Sequence, residues 1–263
     1  MRLDIKLNLR LVIMGCSVYC NYSNKLINKL KSLDVKNILD YDLIEQAIYW
    51  AKKYHHGQFR KTGEPFYTHP IEVAYIVSDY NLKTDVIVAS ILHDIVEDTD
   101  ATSGMILDSF GPRIEEMVDR LTRDRPDGSK LKVEQILNNA YAKNDKEVLL
   151  IKLVDRVHNM QTIKAQPYTK IQKIVNDTLN HFIITAIHTE YRDLEKLIYQ
   201  LCCQNLLGTS APSYHYIKAT EDYSYLRNTD IHPLVSQAFQ NARLQSKNIM
   251  KLVDLVPDIK ANI

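Results

Sequence analysis

Residues 84–98 read Thr84-Asp85-Val86-Ile87-Val88-Ala89-Ser90-Ile91-Leu92-His93-Asp94-Ile95-Val96-Glu97-Asp98. Thr84 is placed to cap a helix over 85–97. Val86, Ile87, Val88, Ala89, Ile91, Leu92 and Ile95 make that helix apolar nearly all round, and such a helix belongs at the buried centre of a fold. His93 and Asp94 lie inside it, so they are not ordinary solvent-facing residues.

The flanking segments are helical too. Asp42 is placed to cap a helix over 43–56, with Ala47, Trp50, Ala51 and Tyr54 on one face and Gly57 as its stop. A polar loop over 57–68 follows. Pro70 suits the first turn of the next helix, whose apolar side is Ile71, Ala74, Tyr75 and Val77. Further helices are expected at 103–109, 111–122, 131–144, 146–164, 168–206 and 233–254. Arg123-Asp124-Arg125-Pro126-Asp127-Gly128 reads as a loop and Gly208-Thr209-Ser210-Ala211-Pro212 as a linker. Residues 1–38 lack strong periodicity and read as an N-terminal extension. No β-alternation and no internal repeat is present. The expected fold class is all-α, a helical bundle over 39–206, with a linker and a last helix over 207–263.

Composition agrees with a globular chain. At 263 residues, 45% hydrophobic and 25% charged, the protein can bury a substantial core. A net charge of +1 gives no global field toward nucleic acid or membrane, and neither is an expected partner. No stretch reaches the ~18–20 apolar residues of a membrane span. Leu11-Val12-Ile13-Met14-Gly15-Cys16 faintly resembles a lipoprotein cleavage box, but its apolar core is shorter than the ~7–15 residues of a signal segment. A cytoplasmic location is expected. Cys16, Cys20, Cys202 and Cys203 form no C-x-x-C pair, and reduced thiols are expected.

Four short segments carry ligand chemistry: His69 in Tyr67-Thr68-His69-Pro70, His93-Asp94, Glu97-Asp98, and Asp155 in Asp155-Arg156-Val157-His158-Asn159. His69, His93, Asp94 and Asp155 together offer imidazole nitrogen and carboxylate oxygen to one divalent cation. A structural zinc site prefers a closed Cys/His set, which this is not. The mixed set fits manganese best, with iron or magnesium as alternatives. Glu97 and Asp98 follow His93 and Asp94 at i+4, one turn along, where carboxylates can accept a proton from a water.

Three strings then resemble a known family. They are Arg60-Lys61-Thr62-Gly63-Glu64-Pro65, His93-Asp94-Ile95-Val96-Glu97-Asp98-Thr99 and Lys152-Leu153-Val154-Asp155-Arg156-Val157-His158-Asn159-Met160. In this order they are similar to the HD-type hydrolase domain of the RelA/SpoT alarmone enzymes, over about residues 43–165. The resemblance implies a manganese-dependent 3′-pyrophosphohydrolase acting on guanosine 3′,5′-bis(diphosphate) and the pentaphosphate. It implies His69, His93, Asp94 and Asp155 as metal ligands, with Glu97 and Asp98 activating water. Arg60, Lys61 and Thr62 would line the guanine side, with Thr62 where the family usually has serine. Asn159 and Thr162 would approach ribose and phosphates. A guanidinium can stack on a base and an ammonium can meet phosphate, which suits Arg60-Lys61 independently.

The chain departs from the family at Arg120-Leu121-Thr122-Arg123-Asp124, where Gly-Val-Thr-Lys-Leu is usual. Residues 207–263 leave too little chain for the synthetase domain of long members, so a hydrolase-only small form is expected. Two other readings stand beside it: a hydrolase of another nucleotide such as NADPH, and a non-catalytic shortened relative.

Overall fold

In the computed structural model, residues 20–125 and 127–207 are described. The expected helix over 233–254 lies outside them. The described residues contain helices and two isolated antiparallel bridges, Phe59 with Pro65 and Asp124 with Lys130. The protein is all-α, as its patterning predicts. None of the described helices is long and apolar enough to cross a membrane. Cys20, Cys202 and Cys203 carry no disulfide.

Two compact units divide between Asp155 and Arg156. In the first, the chain runs α1 (Asn21–Leu33), α2 (Tyr41–Tyr54), α3 (Thr68–Val77), α4 (Thr84–Leu92), α5 (Ile95–Asp98), α6 (Ser103–Phe110), α7 (Pro112–Leu121), α8 (Val133–Ala142) and the first part of α9 (Lys146–Gln161). Helix α4 packs against α2, α3 and α7, and every residue from Val86 to Leu92 is buried. The all-round apolar segment is therefore the core, and each such side chain fully buried contributes about 1.5–3 kcal/mol. Val148 to Val154 of α9 form a second continuous buried run, with Lys152 its one charged member.

Several sequence expectations need correcting. The helix expected over 85–97 is broken: His93 and Asp94 form a turn between α4 and α5, with Asp94 at φ −104° and ψ −4°. That bridge-region conformation is sparsely allowed and recurs at active sites. Thr84 does not cap α4; its Oγ1 accepts from the Asp40 backbone N–H at 2.9 Å, tying the starts of α2 and α4 together. The cap of α2 is Asp40 rather than Asp42, accepting from the Leu43 N–H at 3.0 Å. The segment read as an extension contains α1, which buries Ser23, Leu26, Ile27 and Leu30 and packs on α3.

Short-range chemistry sets the other boundaries. Thr102 caps α6, Gly111 ends it at φ 85°, and Pro112 opens α7 where its missing N–H costs nothing. Asp145 starts α9 by accepting from the Val148 N–H at 3.1 Å while its other oxygen holds Arg120 at 2.5 Å.

The second unit holds the end of α9, a 3₁₀ turn at Ile163–Ala165, α10 (Tyr168–Asp177), a π turn at Thr178–Phe182, α11 (Ile183–His188) and α12 (Arg192–Leu207). The single helix expected over 168–206 is thus two arms. Glu190 at φ 61° makes the corner, a left-handed position that no glycine marks. Helix α12 packs on α10 and α11, and the Arg156 guanidinium lies 4.3 Å from the Phe182 ring centre.

Candidate metal centre

Three elements of the first unit bring the four expected ligands to one point. His69 is the second residue of α3, whose start is held by Thr68 Oγ1 donating to the Pro65 carbonyl at 2.9 Å. His93 and Asp94 form the turn after α4, and Asp155 follows the buried run of α9. His69 Nε2 lies 3.5 Å from Asp94 Oδ2 and 3.2 Å from Asp155 Oδ1. His93 Nε2 lies 3.1 Å from Asp94 Oδ2 and 3.7 Å from Asp155 Oδ1. Ligand atoms around one ion at about 2.0–2.2 Å stand roughly 3 Å apart, which these spacings match.

The donors are prepared for a cation. The Ser90 carbonyl can only accept, so His93 Nδ1, 2.7 Å away, carries the ring proton and donates. Nε2 is then the nitrogen left to face the Asp94 and Asp155 carboxylates, and it is buried. This is the outer support expected of a metal-binding imidazole. Burial alone would push His93 toward neutrality, but the Asp94 and Asp155 carboxylates outweigh it and raise its pKa to about 10. Burial acts to raise the Asp94 and Asp155 pKa values, but the histidines beside them win and hold both carboxylates low. A site that draws a proton this strongly in a buried setting is one where a divalent ion competes well for the same place. His69, His93 and Asp155 each offer a ligand atom within 4.8 Å of the others.

The two acids of α5 are held differently. The Glu97 carboxylate accepts the Arg123 backbone N–H. Asp98 is held by its backbone: the Gln58 side-chain amide donates to the Asp98 carbonyl at 2.7 Å. No hydrogen bond engages the Asp98 carboxylate among the described residues. Partial burial, then the negative charges of Asp94 and Glu97, raise its pKa to about 6.

Arg60 and the loop around it are closed by two backbone bonds, Arg60 N–H to Glu64 at 2.8 Å and Gly63 N–H to Arg60 at 2.9 Å. The guanidinium is half-buried and within electrostatic reach of Asp155, Glu64 and Asp94. Lys61 and Thr62 are exposed at the loop tip. Asn159 and Thr162 belong to the second unit, and their expected role rests on the sequence alone.

Sequence reading missed His55, Gln58, Ser90 and Arg123 as supports. His55 and Gln58 stand three apart just past a helix end, a weak signal. The Ser90 carbonyl and the Arg123 N–H are backbone groups and carry none.

A model of the HD domain matches residues 47–184. The chain is 35% identical over 172 residues to a GTP pyrophosphokinase of Myxococcus xanthus, covering 59% of this chain and 22% of that protein. It is 30% identical over 213 residues to a guanosine-3′,5′-bis(diphosphate) 3′-pyrophosphohydrolase of Haemophilus influenzae, covering 77% of this chain and 30% of that one. The chain thus spans about a quarter of the length of the curated relatives it matches. A solved structure described as a metazoan ortholog of SpoT that hydrolyses ppGpp aligns with a TM-score of 0.46 and 21% identity, covering 78% of this chain and 96% of that one.

Proposed function

Since the chain belongs to the HD-domain family, we propose that it hydrolyses guanosine 3′,5′-bis(diphosphate) and the pentaphosphate, using manganese. The products are GDP or GTP and pyrophosphate. The observation that carries the reading is the convergence of two imidazoles and two carboxylates on one point beside Glu97 and Asp98. Similarity to the Haemophilus influenzae pyrophosphohydrolase supports the substrate.

His69, His93, Asp94 and Asp155 would hold the ion. A divalent cation there supplies Lewis acidity and positive charge beside a diphosphate. Asp98 is the better proton acceptor of the two acids. Its raised pKa of about 6 leaves it ionised at neutral pH yet basic enough to take a proton from the attacking water. Glu97, fixed by the Arg123 N–H, orients that water as a second acceptor. Arg60, with Lys61 and Thr62, would engage the nucleotide at the carboxylate-rich end of the site. Synthesis from ATP and GDP is not proposed for these 263 residues.

The test is pyrophosphate release from the tetraphosphate by the purified chain. Manganese should support turnover better than zinc, chelation should abolish it, and ATP with GDP should yield no tetraphosphate. No release from the tetraphosphate with any divalent ion, alongside turnover of NADPH or another nucleotide, overturns the substrate assignment. Undiminished release from protein shown to be metal-free overturns the metal centre.

A further inference from the structure

His55 is 1% exposed, and none of the expected site residues includes it. It ends α2, and its ring lies on Phe66, with centroids 4.7 Å apart and planes at 31°. Phe66 in turn meets His69 edge-on, with centroids 6.1 Å apart. The His55 Nδ1 is 2.8 Å from Gln58 Oε1, and the other end of that amide donates to the Asp98 carbonyl at 2.7 Å.

The chemistry of the three groups fixes every proton. A carbonyl cannot donate, so the Gln58 NH₂ faces Asp98. Oε1 then faces His55, so Nδ1 carries the imidazole proton. Burial lowers the His55 pKa, consistent with a neutral ring in this tautomer. The backbone of the same residues is closed as well: the Gln58 N–H donates to the His55 carbonyl at 3.1 Å, and the Phe66 N–H donates to the Gln58 carbonyl at 2.9 Å. The amide of Gln58 is thus gripped at both ends. On one side is the buried wall of the first unit, and on the other is the last residue of α5.

We infer that His55 and Gln58 form a clamp that sets the position of the Glu97-Asp98 segment relative to the loop bearing Arg60. His55 acts through Gln58, so both are positioning residues, and the inference rests on the hydrolase reading above. Without the clamp the Asp98 carbonyl loses its link to the loop, and the acid next to it loses its fixed distance from the ligands. Misplacement of a reacting group by about 1 Å can cost roughly a hundredfold in rate. Binding energy supplied by Arg60 should suffer less.

The experiment is a double-mutant cycle on the full chain loaded with manganese. His55→Phe keeps ring volume and the contact with Phe66 but removes both nitrogens. Gln58→Leu removes the amide. Each should lower kcat about tenfold or more with little change in KM, and the double variant should be no worse than either single one. His55→Asn, whose amide N–H can replace the Nδ1–H, should recover most of kcat. Additive losses, or His55→Asn as impaired as His55→Phe, overturn the clamp. An unchanged kcat in His55→Phe does the same.

Amide hydrogen exchange gives a reading independent of turnover. His55→Phe and Gln58→Leu should each speed exchange in residues 95–99 and 58–64 together, and His55→Asn should not. If the wild type shows no alarmone hydrolysis, the functional reading fails, and the exchange pattern still decides the clamp.

Discussion

Two loops border the α5 acids, and they look alike on paper. Residues 57–66 and 122–132 both follow a helix end, and both are pinched by one antiparallel bridge. Both also turn on a left-handed glycine, Gly63 at φ 90° and Gly128 at φ 80°. Each carries a cluster of basic residues, and each reaches α5. What differs is where their charges go. In the second loop Arg125 pairs with Asp119 at 3.0 Å and Lys130 with Asp124 at 2.8 Å, while Arg123 Nε donates to the Leu131 carbonyl at 3.1 Å. In the first, the Arg60 guanidinium is within electrostatic reach of Asp155, Glu64 and Asp94. The second loop therefore reaches α5 through its backbone, and the first through a side chain. Basic residues in a loop say little about ligand binding until their acidic neighbours are known.

The sharpest way to test the contrast is at the two acids, because each loop holds one of them. Asp98→Asn should leave metal content intact and cut kcat by about 10²–10⁴. Glu97→Gln keeps an oxygen for the Arg123 N–H and should lose only about tenfold. Single-turnover rates and metal analysis on the same preparations would show it. The reverse ranking would make Glu97 the base, and loss of manganese in Glu97→Gln would move it among the ligands.

The pH dependence comes next. With its pKa near 6, the Asp98 carboxylate is the form present above that pH. The kcat/KM profile should therefore fall about tenfold per unit as pH drops below about 6, and Asp98→Asn should lose that limb. The folded pKa lies above the ordinary 3.8, so in the metal-free protein this one group favours the fold more as pH falls from about 6 toward 3.8. A profile flat to pH 5 with Asp98 intact would remove it as proton acceptor.

Substrate affinity should separate the loops more gently. Arg60→Ala should raise KM about tenfold with a smaller change in kcat, the pattern of lost uniform binding. Arg125→Ala should leave KM within about twofold, since its exposed pair with Asp119 contributes at most about 1 kcal/mol to the fold. Equal KM effects would collapse the distinction.

The smallest effect concerns the turns. Ala at Gly63 or Gly128 meets no atom within 4 Å, so the cost of each is backbone strain alone, about 1–2 kcal/mol. Thermal melts should show similar losses for both. Only Gly63→Ala should also alter KM, because its loop carries Arg60.

How much of this was legible depended on what kind of atom does the work. The core was legible because Val86 to Ala89, Ile91 and Leu92 put apolar side chains on every side of the helix, which suits a central position. The convergence of His69, His93, Asp94 and Asp155 was legible because imidazole and carboxylate are the groups a divalent ion takes. Helix α1 was not, since its buried face is only Ser23, Leu26, Ile27 and Leu30 among polar neighbours. The corner at Glu190 and the turn at His93-Asp94 carry no glycine or proline. Their conformations are imposed by packing rather than by local preference. The hold on Glu97 comes from a main-chain N–H, a group every non-proline residue owns and no sequence advertises.

The turn at His93-Asp94 also sets helix formation and the convergence of two side chains against each other. On an unbroken α-helix, neighbouring side chains diverge by about 100°, so two consecutive residues could not address one ion. Here Asp94 leaves helical geometry and its Oδ2 comes to 3.1 Å from His93 Nε2. Local helical order is given up at one residue, and two adjacent side chains come to face one point. Any change that rewards continuous helix through this point strengthens the element and drives the two side chains apart.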